Sequence, residues 1–354
     1  VTSLVPTVAD PVADVGGVLQ DLVHEQAAEL VSLDSSLRPF ADAISTHVLG
    51  GGKRVRAKFV MLGYRAAGGL DVHVAAQAGA AVELVHAYAL LHDDVMDRSD
   101  TRRGRPSFHR VLEQCHRASA SAGDSHWFGM SAAVLAGDLV AAWADDLVAD
   151  LPVDAATLRR GRRVFAALRR EAAAGQYLDL CGPDGADGWR RIALLKSARY
   201  SVTRPLLFGA ALAGPTDERL TAALEAYGDH LGVAYQLRDD VLGMFGDTAE
   251  MGKSNLDDVR QGKRTLLVST AELLGGAERR AELAAALGDP AATPDTVDRV
   301  RQIIASSGAL AHVEDVIVAE RDAAICAVRS DGVVDPVTAD ALSELARRAT
   351  SRRG

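Results

Sequence analysis

Residues 74 to 97 form an apolar stretch, dominated by Ala, Val and Leu, that ends in Asp93-Asp94-Val95-Met96-Asp97. Apolar side chains face every direction on the helix it predicts, so that helix belongs at the centre of a fold, not on its surface. Covering it takes further helices, and the rest of the chain offers them. Aromatics make up only 5%, Gly and Pro gather at a few points, and the long stretches between lack β-type alternation. The expected class is all-α, a single large helical bundle around an apolar cavity. Helices are predicted from Asp21 to Leu33, Met130 to Leu147, Ala155 to Leu180, Trp189 to Phe208 and Leu220 to Phe245. The 354 residues contain no Pro/Gly/Ser linker, which predicts one domain over 1–354 with a loose arm at 1–20.

A formal net charge of −9 argues against a protein that binds nucleic acid, which needs a broad cationic footprint. Any anion site must therefore be local. Cys115, Cys181 and Cys326 are odd in number and lack paired spacing, which suits a reducing, cytoplasmic setting. No signal-peptide pattern and no uninterrupted run of about 18 apolar residues is present, so membrane insertion is not expected.

On a helix, Asp93 and Asp97 point about 40° apart, so two carboxylates share one face. Magnesium takes oxygen ligands, keeps several waters and bridges carboxylates to substrate phosphates, so acids without His or Cys partners suit it. Other acidic doublets, Asp145-Asp146 and Asp257-Asp258, occur without this context. Asp93 and Asp97 end an apolar helix, where ionised acids are costly unless cations or water compensate, and where the helix dipole opposes negative charge. A second acidic segment, Gln236-Leu237-Arg238-Asp239-Asp240, closes another apolar helix. His86 lies seven residues before Asp93 and within about 20° of it on the wheel, so it shares that face. Lys53, Arg56, Arg102, Arg103, Lys196, Lys253 and Lys263 supply cations suited to phosphate oxygens.

Taken in order, these segments resemble the trans-isoprenyl diphosphate synthase (polyprenyl synthetase) family from about Gly50 to Leu267. Gly51-Gly52-Lys53-Arg54-Val55-Arg56 is similar to its GGKRxRP segment, with Ala57 in place of proline. Leu90-Leu91-His92-Asp93-Asp94-Val95-Met96-Asp97 followed by Arg102-Arg103-Gly104-Arg105-Pro106 resembles the first aspartate-rich motif and its RRGxP tail. Gly175-Gln176-Tyr177-Leu178-Asp179 resembles GQxxD, and Lys196-Ser197 stands where Lys-Thr is usual. The second motif, usually DDxxD, ends here in Gly243, so its third acid is absent; Asp247 follows four residues later without an assigned role.

The resemblance implies a bundle of the isoprenoid synthase type and a homodimer. It implies that isopentenyl diphosphate condenses with a C5, C10 or C15 allylic diphosphate, assisted by three magnesium ions. Asp93, Asp97 and Asp239 would hold the metal, with Asp94 and Asp240 in support. Arg102, Lys196, Lys253 and Lys263 would contact the allylic diphosphate, and Lys53, Arg56, His86 and Arg103 the other. Ser197, the Lys196 carbonyl and Gln236 would face the allylic cation. The family limits product length five residues before the first Asp, here Tyr88, with Ala89 beside it, which favours the C20 geranylgeranyl product. The alternatives are a C15 farnesyl or longer product, a class I terpene cyclase, or a non-catalytic subunit of a heteromeric synthase, which the missing third acid would suit.

Overall fold

The computed structural model describes residues 11–119, 121–182, 187–246, 255–260, 262–263 and 265–351. Helix α1 runs Pro11–Leu33, so the loose arm expected over 1–20 does not hold for 11–20, and residues 1–10 lie outside the described residues. Val15, Leu19 and Val23, each four apart, are fully buried, and this stripe needs a partner face. Gly79 helps to provide one, since a β-carbon there would lie 3.3 Å from Val15 Cγ2.

Helices α2 (Arg38–Leu49), α3 (Val55–Ala66) and α4 (Val72–Met96) follow. The Asp71 carboxylate starts α4 by accepting the His73 and Val74 N–H groups at 2.9 and 3.3 Å, satisfying donors that a helix start leaves open. As predicted, α4 is central, with α6, α3 and α1 packed on it. By length and composition it would pass as a membrane span, yet 72% of its most apolar window is buried inside the protein. Side chains such as Leu84 and Leu91 are fully buried, each contributing roughly 1.5–3 kcal/mol relative to exposure.

A two-stranded ribbon, β1 (Thr101–Arg102) and β2 (Arg105–Pro106), interrupts the helices. Arg103 and Gly104 turn between them with φ of 53° and 71°, the left-handed pair that a two-residue hairpin requires. Then come α5 (Phe108–Ala118), α6 (Ser125–Ala149) and α7 (Ala155–Cys181).

The single helix expected from Trp189 to Phe208 is instead three pieces. They are α8 (Gly188–Ile192), a π-helical stretch at Ala193–Thr203 and α9 (Arg204–Ala213). Pro205 bears on the end of that stretch, since it has no N–H to donate and its ring crowds the Ser201 carbonyl four residues earlier, where the turns are wide. Consistent with that, the Arg204 N–H reaches five residues back to the Arg199 carbonyl. Beyond lie α10 (Glu218–Phe245), α11 (Asn255–Arg260), α12 (Leu266–Leu274), α13 (Gly276–Ala286), α14 (Pro294–Ser307), α15 (Ala309–Arg329) and α16 (Pro336–Thr350).

Two compact units result. One comprises Val1–Asp100, Pro106–Arg162 and Phe208–Pro215, with α4 at its centre; the other comprises Thr101–Arg105, Arg163–Leu207 and Thr216–Gly354. In the second, α10 packs against α15 and the π-helical stretch, and Leu237, Val241, Leu267, Ile304 and Val313 belong to its core.

Candidate active site

In the first unit, the end of α4 carries the acids. The Asp97 N–H donates to the Asp93 carbonyl at 2.7 Å, so helical register holds the two residues one turn apart, as their spacing predicts. Both are half-buried, whereas Asp94 is fully buried. Asp94 lies close enough to His109 to favour its charged form, although burial outweighs this and holds the His109 pKa below its usual value. The doublet Asp145-Asp146 is exposed on α6, as a solvated face would be.

Behind the acids, the His92 ring N–H donates to the Val134 carbonyl of α6 at 3.3 Å. Its ring occupies the notch left by Gly137, where a β-carbon would fall 2.0 Å from His92 Nε2. Tyr88 meets the His92 ring edge-on at 6.0 Å, and the His47 ring N–H donates to the Ala87 carbonyl at 3.0 Å. Tyr88, Ala89 and His86 are all half-buried.

The glycine-rich loop lies between α2 and α3. Gly51 and Gly52 take φ of 91° and 135°, values that side chains resist, and Arg54 is left-handed at 46°. Two contacts hold Arg54: Nη2 donates to the Val48 carbonyl at 3.0 Å, and Nη1 lies 3.5 Å from Glu83 Oε2. The Ala57 N–H donates to Glu83 Oε1 at 3.1 Å. Lys53 is exposed and Arg56 half-buried.

The second unit carries the other set. Arg102 is half-buried and Arg103 exposed at the ribbon turn. On α10, Gly228, Gly232, Gln236 and Asp240 recur every four residues and so form one slowly drifting stripe. β-Carbons at Gly228 and Gly232 would fall 2.5 Å from Thr203 Cα and 2.2 Å from Ala198 Cα, so these glycines admit the π-helical backbone. That approach lets the Ser197 hydroxyl donate to Gln236 Oε1, while Gln236 Nε2 donates to Asp240 Oδ1 at 2.8 Å. On the other flank, a β-carbon at Gly175 would meet the Lys196 backbone nitrogen at 2.2 Å. Lys196 Nζ donates to Asp179 Oδ2 at 2.5 Å. Asp239 and Gly243, where a third acid is usual, lie half-buried in the last turns of α10, and Lys263 is half-buried. Lys253 and Asp247 lie outside the described residues.

Sequence reasoning missed Glu83, His92 with Gly137, and the glycine contacts at Gly175, Gly228 and Gly232. Glu83 had a readable signal: a lone acid inside an apolar helix must find a partner. Gly175 stands within a motif, and Gly228 and Gly232 recur four residues apart, but neither pattern says which backbone comes close.

Helices ending in carboxylates, with cations on a glycine loop and a hairpin, define a protein that handles polyanionic substrates. The polyprenyl synthetase model matches residues 38–304. A geranylgeranyl diphosphate synthase from Mycobacterium tuberculosis is 34% identical over 331 residues, covering 92% of this chain and 88% of the relative. A geranylfarnesyl diphosphate synthase from Aeropyrum pernix is 33% identical over 280 residues, covering 76% and 81%. Among solved structures, the geranylgeranyl pyrophosphate synthase of Corynebacterium glutamicum, complexed with isoprenyl diphosphate and magnesium, superposes with a TM-score of 0.90. It is 33% identical and covers 97% of this chain and 98% of that one. The chain therefore belongs to the polyprenyl synthetase family, and it is a trans-prenyltransferase of the isoprenoid synthase fold.

Proposed function

We propose that this chain condenses isopentenyl diphosphate with a C5, C10 or C15 allylic diphosphate, adding five carbons at each turnover and releasing pyrophosphate, until geranylgeranyl diphosphate is formed. The observation that carries the reading is the pair Asp93 and Asp97, locked one turn apart by their backbone hydrogen bond at the end of the buried α4. Magnesium fits this donor set. The acids offer hard oxygen atoms, and no group of three or more His, Cys, Asp or Glu side chains that could hold a metal occurs among the described residues. Magnesium is commonly held by one or two protein carboxylates, so the pair Asp93 and Asp97 would suffice to hold it. Asp93, Asp97 and Asp239 would hold three ions, with Asp94 and Asp240 in support. When bound, the metal supplies Lewis-acid charge withdrawal from the leaving pyrophosphate.

The residues of the chain do the rest. Arg102, Lys196, Lys253 and Lys263 neutralise the allylic diphosphate as its C–O bond breaks, fixed charges being most effective where charge develops. Lys53, Arg56, His86 and Arg103 hold the diphosphate of isopentenyl diphosphate, whose double bond attacks the allylic cation. The Ser197 oxygen, the Lys196 carbonyl and Gln236 face that cation. The Ser197 hydroxyl donates its hydrogen bond to Gln236 Oε1, which leaves the lone pairs of the Ser197 oxygen available to positive charge. A proton then leaves the new C–C product for the departing pyrophosphate. Tyr88 limits chain growth, with Ala89 beside it.

This reading includes a homodimer, supported by the exposed Trp127, Phe128, Val134 and Leu135 on one helix, α6. It also includes a cytoplasmic setting, supported by three exposed free thiols, Cys115, Cys181 and Cys326. The test is chromatography of the products from purified protein with isopentenyl diphosphate and each allylic partner in turn. A C20 product that disappears on chelation of magnesium is expected; no product from any partner, with folded protein and excess magnesium, would overturn the proposal.

A further inference from the structure

Glu83 is a carboxylate with 4% exposure in the middle of the long apolar helix α4, ten residues from Asp93 and far from its acidic end. Such a group is costly to bury without partners, so what it touches identifies why it is there. Oε1 accepts the Ala57 N–H at 3.1 Å, in the first turn of α3, where backbone donors lack helical acceptors. Oε2 lies 3.5 Å from the Arg54 guanidinium, which is itself only 15% exposed. The same guanidinium donates from Nη2 to the Val48 carbonyl in the last turn of α2. One carboxylate thus fastens the end of α2 and the start of α3 to α4, across Gly50-Gly51-Gly52.

That loop has little rigidity of its own. Gly51 and Gly52 sit at φ of 91° and 135°, and Arg54 at 46°, a left-handed geometry that costs a non-glycine residue about 1 kcal/mol or more unless its surroundings hold it. Lys53 precedes Arg54 and Arg56 follows it by two residues. His86 sits on α4 three residues after Glu83, about one turn away.

We infer that Glu83, acting through Arg54, is the positioning residue that sets Lys53 and Arg56 against His86 and so builds the isopentenyl diphosphate subsite. The inference rests on the proposed roles of Lys53, Arg56 and His86. Glu83 touches no substrate. It fixes where the cations stand, and a displacement of about an ångström is enough to weaken a bidentate phosphate contact.

The test uses Glu83→Gln, which preserves an acceptor for the Ala57 N–H but removes the charge that holds Arg54, and Glu83→Asp, which keeps the charge on a shorter arm. Isopentenyl diphosphate alone, without an allylic partner, is titrated into each by calorimetry, and steady-state kinetics are measured in parallel. Glu83→Gln is expected to raise the Kd and the KM for isopentenyl diphosphate about tenfold, with Glu83→Asp in between. The allylic KM should stay within about twofold, and amides of Gly51 to Val55 should exchange with deuterium faster than in the parent. An unchanged Kd in a folded Glu83→Gln chain overturns the inference. So does a fall in kcat and Tm together with a rise in both KM values, which would make Glu83 merely structural. A parent chain that forms no product with any partner instead overturns the function proposed above, and the exchange of the loop amides then decides the positioning role by itself.

Discussion

Glu113 shows how one buried carboxylate shapes the response of this protein to acid. Arg110 Nη1 donates to its Oε2 at 2.6 Å, Arg117 pairs with Oε1, and His126 Nδ1 lies 3.2 Å from Oε2. The Arg110 hydrogen bond, outweighing the cost of burial, lowers the Glu113 pKa from 4.5 to about 2. A folded-state pKa below the unfolded one favours folding wherever the group is ionised. Its stabilisation is therefore complete above about pH 4.5 and disappears as pH falls through about 2. Tm measured against pH should fall across that window in the parent and fall less steeply in Glu113→Gln, whose Tm at neutral pH is already reduced. Tyr88 belongs to the same scale. Its ring is fixed against His92, and replacing it with Ala should shift the product distribution toward longer chains; an unchanged distribution on chromatography would remove Tyr88 as the limit to growth.

At the scale of elements, glycines decide how near two backbones come. Gly175 of α7 faces the Lys196 backbone nitrogen, and an added methyl would lie 2.2 Å from it. Gly175→Ala should therefore push the π-helical stretch away and loosen the Lys196–Asp179 pair. We expect a loss of about 1–3 kcal/mol in denaturant unfolding, together with lower kcat. Gly16 of α1 has no neighbouring atom within 4 Å, so Gly16→Ala should instead stabilise the chain by roughly 0.5–1 kcal/mol through helix propensity alone. Helix identity was readable at this scale because the apolar period and the capping acids are local. The break after Ile192 was not read, because neither proline nor glycine occurs between Trp189 and Arg204. Nor was the start of α1 at Pro11, because its Val15, Leu19 and Val23 stripe gains meaning only beside Gly79.

For the whole molecule, Trp127, Phe128, Val134 and Leu135 leave α6 with an apolar strip of 42 to 65% exposure, which water disfavours. Sedimentation should give the mass of two chains, and Trp127→Ser combined with Leu135→Ser should shift it toward one; a monomeric parent would refute the dimer. The sequence by itself determined the all-α class, the central place of residues 74–97 and the pairing of Asp93 with Asp97. Each of these follows from hydrophobicity and helical period, which need no distant partner. Only the tertiary structure joined Glu83 to Arg54, Ser197 to Gln236 and Lys196 to Asp179. Those contacts span 17 to 39 residues, and packing, not spacing along the chain, brings them together.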